Sequence, residues 1–206
     1  MREIFVVTHP EATHHLEGRV GGWFDSTLTP RGEEHASRIA DALSARMSPG
    51  ASVFTSDLTR ARQTADAIAT RLGVTARPLM QLREKSYGVG EGRLDAWFRE
   101  RFVPPPARGE RMNHDEGIDG AETKAEWVRR VYAGMETVLH DPAPQKVIVT
   151  HGGSATFVVA RWMRVPLTAL DVMSFHFDSG GITHLREDDY FHNRTLVTLN
   201  ELSHLG

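Results

Sequence analysis

The chain alternates short apolar runs with longer segments in which apolar residues recur at helical spacing. The unbroken runs at residues 4–7 (IFVV) and 147–149 (VIV) predict strands that are buried on both faces, as in a parallel sheet. Residues 52–55 (SVFT) are predicted to form a further short strand. The helical spacing predicts amphipathic helices over about 30–47, 57–72, 121–139 and 153–163. Strands that alternate with helices indicate an α/β fold. We therefore predict a three-layer α/β/α architecture with a mainly parallel central sheet.

Polar residues and prolines predict where the helices begin. Thr29 followed by Pro30 has the pattern of an N-cap and a first helical position. Ser56 or Asp57 is expected to cap the helix that runs to about residue 72. The stretch 10–28, which is rich in Gly, His and polar residues, is expected to form a loop.

The remaining segments have a weaker pattern. Residues 94–102 are compatible with a helix, and the three prolines at 104–106 would end it. Alternating apolar positions predict C-terminal strands, over 172–177, 181–185 and 196–199. We interpret 1–206 as one domain with an insertion at about 93–118.

Composition and charge exclude several classes of protein and partner. The 24 Lys and Arg residues nearly balance the 27 Asp and Glu residues, so there is no electrostatic reason to expect nucleic acid or a membrane surface as partner. The absence of Cys excludes disulfides, thiolate nucleophiles and Cys-ligated metals. No run reaches the ~18 apolar residues of a membrane span, and no signal-peptide pattern is present. We expect a cytoplasmic protein, and leave open whether it forms a homodimer.

The most informative feature is a short sequence similarity between the ends of two of the predicted strands. VVTHP at residues 6–10 is similar to IVTHG at residues 148–152. Ligands of open parallel sheets bind beyond the carboxyl ends of the strands, so His9 and His151 could face one another there. Each histidine alone could simply satisfy a turn, but the matching contexts favour a shared site.

Around these histidines the sequence resembles the histidine phosphatase superfamily, also called the phosphoglycerate-mutase-like superfamily. The blocks that carry the resemblance occur in the family's order along nearly the whole chain. They are THP (8–10) at the place of the family's Arg-His-Gly, EGRVGGWFDSTLTPRG (17–32), TSDLTRARQTA (55–65), LREKSYGVGEGR (82–93), VTHGG (149–153) and DSGGITHL (178–185). The ordered set is far more specific than any single block.

The resemblance implies four catalytic roles. His9 would be the nucleophile that accepts the phosphoryl group, and His151 would donate to the phosphoryl oxygens. Arg60 would clamp the same oxygens, and Glu84 would protonate the leaving oxygen. The residue chemistry agrees, because a neutral imidazole is a competent nucleophile near neutral pH and phosphoryl transfer depends largely on electrostatic clamping. This chemistry leaves no role for a metal or other cofactor.

The sequence departs from the family's pattern at the first histidine. Thr8 stands where the family has Arg, which removes one positive charge from the expected site. Compensation could come from His14, His15 or Arg19, and His15 lies where the family often has an Asn that contacts phosphate. The residues expected to bind the substrate are Thr8, His15, Arg19, Gly22 and Gly152. By contrast, we expect Arg62 at the surface and Trp23 in packing.

The function that the resemblance implies is hydrolysis of a small phosphomonoester through a phosphohistidine intermediate. A phosphoglycerate-type mutase is the alternative, but SYGVGEGR is shorter than the mutase insertion after the Glu motif. A catalytically silent relative that binds a ligand is the third candidate. Residues 93–118 are expected to cap the pocket and to determine specificity.

Overall fold

The computed structural model describes all 206 residues, which form six strands and six α-helices. The strands are β1 (Arg2–Thr8), β2 (Ser52–Thr55), β3 (Ala76–Pro78), β4 (Gln145–Thr150), β5 (Ile182–Glu187) and β6 (Arg194–Glu201). The helices are α1 (Thr13–Leu16), α2 (Pro30–Ser44), α3 (Thr59–Leu72), α4 (Asp95–Arg99), α5 (Lys124–His140) and α6 (Gly152–Trp162).

All six strands belong to one sheet in the order β3-β2-β4-β1-β5-β6. The first four strands in that order pair in parallel, and β5 and β6 add an antiparallel edge. The prediction of a mainly parallel α/β sheet is therefore confirmed. The central position of β1 and β4 places the two predicted histidines at the middle of one sheet edge.

The apolar core consists of two layers, one on each face of the sheet. Successive β1 side chains point to opposite faces, so that Val6 joins the layer covered by α5 and α6 while Phe5 and Val7 join the layer covered by α2 and α3. Burial on both faces explains why the strand sequences are continuous apolar runs rather than alternating patterns. The three-layer arrangement was expected for this reason.

The helix starts test the predicted caps. Thr29 is the N-cap of α2, and its hydroxyl accepts a hydrogen bond from the Gly32 amide at 3.0 Å. The expected cap of α3 is wrong, because Leu58 holds the N-cap position without a side-chain bond. Asp57 forms a bidentate ion pair with Arg83 instead, at 2.7 Å for each bond. A charge-assisted pair with a distant arginine therefore prevails over the local cap.

Three other expectations need correction. Residues 172–177 form no strand of the sheet, and the Phe175 amide donates to the Thr156 hydroxyl of α6 instead. The predicted loop 10–28 contains the short helix α1, and strand β3 was not predicted. Helix α5 begins at Lys124 rather than near residue 121, because Thr123 and Glu126 form a capping box.

The segment 93–118 contains the short helix α4, within the expected 94–102, followed by the three prolines. The Phe98 and Phe102 rings stack with centroids 5.2 Å apart, whereas Trp97 lies against the Arg101 guanidinium on the outside. The function of this segment as a cap stays a prediction. No helix in the structure is both long enough and apolar enough to cross a membrane.

Candidate active site

The ends of β1 and β4, whose sequences are similar, lie side by side at the carboxyl edge of the sheet. Strands β1 and β4 pair in parallel with Thr8 opposite Thr150, so each strand delivers its histidine to the same place. The His9 and His151 rings have centroids 5.0 Å apart and meet edge to face. The expected juxtaposition of these two histidines is therefore present.

The hydroxyl groups of the threonines before the two histidines form hydrogen bonds to the loops around the site. The Thr8 hydroxyl donates to the Asp178 carbonyl at 2.5 Å and accepts from the Gly181 amide at 3.1 Å. The Thr150 hydroxyl donates to the Leu82 carbonyl at 2.7 Å, two residues before Glu84. Because Thr8 has a single O–H and uses it here, it has no donor left for a ligand and serves to shape the site.

His9 is held in one orientation by bonds to both ring nitrogens. Its Nδ1 lies 2.8 Å from the Pro10 carbonyl, which can only accept, so Nδ1 carries the proton. Its Nε2 lone pair then accepts from Arg60 Nε at 3.1 Å. Burial, together with the Arg60 charge, holds the pKa of His9 well below its usual 6.5. His9 is therefore a neutral imidazole at neutral pH, with Nε2 as its nucleophilic atom.

Arg60 lies in the first turn of α3 and is buried, at 1% exposure. Besides the bond to His9, its terminal nitrogens donate to the carbonyls of Phe24 and Gly22 at 2.7 and 2.8 Å. Burial lowers the pKa of Arg60 to about 10, so the side chain stays cationic at neutral pH. Two loop carbonyls thus fix a permanent positive charge against the nucleophile.

Glu84 is half-buried and lies against the amino terminus of α6. One carboxylate oxygen accepts from the Gly153 amide at 2.8 Å, and the other accepts from the Ser154 and Lys85 amides at 3.1 and 3.0 Å. Burial raises the pKa of Glu84, and the amide bonds and the Arg60 charge only partly oppose this shift. A carboxyl group with a raised pKa can hold and release a proton nearer to neutral pH.

The tautomer of His151 is set by its hydrogen bond with Ser56. Its Nε2 lies 2.8 Å from the Ser56 hydroxyl, while its Nδ1 is buried without a hydrogen-bond partner in the protein. If Ser56 donates to Nε2, then Nδ1 carries the proton and can donate to an oxygen anion. Burial and the Arg60 charge hold the pKa of His151 well below its usual value, so this donor is neutral.

Two further histidines from α1 complete a cluster around the nucleophile. The His15 ring stacks on His9 with a centroid distance of 5.7 Å, and its Nδ1 accepts from the Ala12 amide, which leaves a proton on Nε2. His14 lies 6.2 Å from His9 by ring centroids and shares a 2.7 Å hydrogen bond with the Ser26 hydroxyl. Burial lowers the pKa of His14 to about 3, so it is neutral as well.

These side chains surround a cavity of about 290 Å³. Its lining residues are Thr8, His9, His14, His15, Gly21, Gly22, Arg60, Glu84, Tyr87, His151, Gly152, Phe177, Asp178 and Ser179. All four residues expected to be catalytic and four of the five expected to bind substrate lie in this set. Arg60 is its only lining side chain with a permanent positive charge.

Arg19 is the exception, and its expected place in the site is wrong. Its guanidinium lies at the surface and donates to the Glu17 carboxylate at 2.9 Å and to the Gly92 carbonyl at 2.7 Å. Arg62 is exposed, as expected. Trp23 donates to the Glu84 carbonyl at 2.7 Å and packs against Arg83, so it supports the site from outside the cavity.

Sequence reasoning did not select several residues of the cavity wall, notably Tyr87 and the 177–179 segment. Tyr87 follows the Glu84 motif by three residues, and this spacing was the only signal available for it. The 177–179 segment reaches the site because Asp178 is bound by Thr8, 170 residues earlier in the chain.

No group of three or more His, Asp or Glu side chains could hold a metal ion; metal-independent chemistry stays a prediction.

Comparison with known proteins agrees with this geometry. The family model described as histidine phosphatase superfamily (branch 1) matches residues 4–201. The chain belongs to the histidine phosphatase superfamily. The expectation of a histidine-phosphatase-type enzyme is thereby confirmed at the level of the family.

Individual relatives fit the same family. A Yersinia enterocolitica protein named probable phosphoglycerate mutase GpmB is 32% identical over 171 residues, which cover 81% of this chain and 77% of that protein. Among solved structures, Bacillus stearothermophilus YhfR has a TM-score of 0.79 at 20% identity and full coverage of both chains. A mycobacterial glucosyl-3-phosphoglycerate phosphatase in complex with VO3 has a TM-score of 0.77 at 22% identity, covering 97% of this chain and 99% of that one. These structural likenesses concern the fold.

Proposed function

We propose that the protein hydrolyses phosphomonoesters through a phosphohistidine intermediate on His9. The observation that carries this proposal is the state of the His9 ring. Its Nδ1 proton is held by the Pro10 carbonyl, so the lone pair is on Nε2, where it accepts from the buried Arg60 guanidinium at the wall of the cavity; attack on phosphorus would replace this hydrogen bond. A fixed, neutral imidazole next to a permanent positive charge suits attack on a phosphoryl group.

In the first step, His9 Nε2 attacks phosphorus and the bond from phosphorus to the leaving oxygen breaks. The protonated Glu84 carboxyl group gives its proton to that oxygen, so a neutral alcohol departs. Arg60 and the Nδ1–H of His151 stabilise the charge on the non-bridging oxygens, and the Nε2–H of His15 can supply a further neutral donor.

In the second step, the Glu84 carboxylate takes a proton from water while the water oxygen attacks phosphorus. The nitrogen–phosphorus bond breaks, its electron pair returns to His9 Nε2, and inorganic phosphate leaves. Glu84 regains its proton and the site is restored. The same carboxyl group therefore acts as acid and then as base.

A phosphoglycerate-type mutase remains the second candidate, since relatives near 30% identity carry that name. A mutase must hold a bisphosphorylated intermediate while it turns over in the site. The cavity around His9 contains only one permanently cationic side chain, Arg60. This shortage of positive charge favours release of a single phosphate over retention of a doubly phosphorylated species.

The proposal is tested by rapid quenching at high pH after exposure to a ³²P-labelled phosphomonoester. We expect acid-labile label on His9, loss of label and turnover in His9→Ala, and no change in His140→Ala, an exposed histidine at the end of α5. Label on Ser or Thr, or label that survives in His9→Ala, contradicts the assignment. Transfer between hydroxyls of a phosphoglycerate without free phosphate would identify the mutase. Release of phosphate from none of a broad set of esters would leave the ligand-binding relative.

A further inference from the structure

A second cavity, of about 260 Å³, adjoins the histidine cavity on the side of Glu84. Tyr87 lines both cavities, and the consecutive residues Gly152 and Gly153 line one each. The amide of Gly153, which lines the second cavity, donates to the Glu84 carboxylate, which lines the first. An ester whose leaving oxygen is protonated by Glu84 would project its organic group into this second cavity.

Five of the twelve residues that line the second cavity are aromatic. Phe98 and Phe102 come from the 93–118 segment, and Trp127 and Phe157 come from α5 and α6. Tyr87 and Phe98 meet edge to face at 5.1 Å, and Trp127 and Phe157 do so at 4.7 Å. Apolar cavities near 150 Å³ can hold benzene, so this space has room for a substituted six-membered ring. Aromatic side chains pack favourably against another aromatic ring, either edge to face or offset-stacked.

Two ammonium groups also line this cavity, and only one carboxylate does so. Lys85 is buried and forms an ion pair with Glu116, which neutralises both groups. Lys124 Nζ donates to the Asp171 and Met173 carbonyls at 3.0 and 3.3 Å, and forms no ion pair.

Lys124 therefore keeps one N–H for a ligand, since an ammonium group has three. Its Nζ lies 5.8 Å from the centre of the Phe157 ring, on the aromatic wall itself. The Arg111 guanidinium, which donates to the same Asp171 carbonyl at 3.2 Å, adds positive charge nearby, and the Asp171 carboxylate opposes it. The aromatic cavity thus carries, at Lys124, a group suited to binding an anion.

We infer that the leaving group of the natural substrate is an aromatic ring that bears a carboxylate or a comparable anionic group, which Lys124 binds. This inference rests on the proposed function, because it assigns the organic part of the same ester. The phosphate would lie among the histidines, the ring against Phe98 and Phe157, and the anion on Lys124. Hydrolysis would release a hydroxyaryl acid and phosphate.

The test compares kcat/KM for 4-carboxyphenyl phosphate with kcat/KM for 4-carbamoylphenyl phosphate, its uncharged counterpart. The ratio of these constants should fall roughly tenfold to a hundredfold in Lys124→Met, the effect of one hydrogen bond between charged groups. Differences in leaving-group reactivity cancel when the ratio is compared between the natural protein and the variant. Lys146→Met is the matched control, since Lys146 is bound to the Ala143 carbonyl at the opposite end of β4, and it should leave the ratio unchanged.

A second measurement needs no variant. Inhibition of the natural protein by 4-hydroxybenzoate should be roughly tenfold stronger than inhibition by 4-hydroxybenzamide, and raised salt should reduce the difference. Equal inhibition by the two compounds, or an unchanged ratio in a folded Lys124→Met, overturns the inference while phosphate release continues. If no aryl or alkyl phosphate releases phosphate at all, the proposed function itself fails.

Discussion

Replacement of Glu84 by Gln separates proton transfer from the other functions of this side chain. The carboxylate oxygen that accepts from Lys85 and Ser154 can be replaced by the amide oxygen of Gln with these bonds kept. The other oxygen becomes an NH₂ group, which then faces the Gly153 N–H at the 2.8 Å position of the former bond. One hydrogen bond is lost, and two donors meet.

The magnitudes show that the variant should remain folded. Loss of one hydrogen bond to a charged acceptor costs ~1.5–3 kcal/mol, and the lower desolvation cost of a buried amide offsets part of it. A net loss of about 1–2 kcal/mol lowers Tm by roughly 2–8 °C in a domain of this size. Loss of general acid catalysis, in contrast, should reduce the rate by ~10²–10⁴. The kinetic effect therefore exceeds the effect on stability.

The assay compares two leaving groups. Hydrolysis of glycerol phosphate, whose alkoxide is a poor leaving group, should lose the full factor in Glu84→Gln, whereas hydrolysis of 4-nitrophenyl phosphate should lose much less. Glu126→Gln changes a carboxylate that caps α5 outside both cavities, and it should leave both rates intact. Equal losses for the two substrates in a folded Glu84→Gln would show that Glu84 does not protonate the leaving oxygen.

Three further outcomes follow from the same geometry. Thr8→Arg should tighten inhibition by inorganic phosphate roughly tenfold to a hundredfold at fixed ionic strength, because it adds a second guanidinium to the cavity. The control is Thr8→Val, which loses the Asp178 and Gly181 bonds without adding charge. An unchanged inhibition constant for phosphate in Thr8→Arg would point to compensation by His14 and His15. Burial raises the pKa of Glu84, so kcat/KM should fall as the pH rises through that pKa and Glu84 loses its proton. The lowered pKa of His9 keeps the nucleophile neutral well below pH 6.5. A kcat/KM that rises on the alkaline side would refute the role of Glu84 as the acid. A chelator should leave activity unchanged and vanadate should inhibit, whereas loss of activity that a divalent ion restores would mean that the site requires a metal.

The mixed outcome for the site residues has a local explanation. His9 and His151 could be anticipated because each follows directly on a strand whose apolar run is visible in the sequence, and parallel strands end at one edge. Arg19 could not be excluded in advance, since its partner Gly92 lies 73 residues away. Long side chains reach their partners through the fold, so sequence spacing does not determine where their charged ends lie.

By itself, the sequence determined the strands and helices whose apolar pattern is strong, the capped start of α2 and the ordered motifs that indicate the family. A strand that is buried on both faces of a parallel sheet needs a continuous apolar run, so such runs can be recognised in the sequence. Only the tertiary structure decided that Asp57 pairs with Arg83 instead of capping α3, and that residues 172–177 stay out of the sheet. It also decided that Thr8 binds Asp178 and that Lys124 borders an aromatic cavity. Each of these depends on a contact between residues far apart in the chain, and the energy of such contacts outweighs local preference.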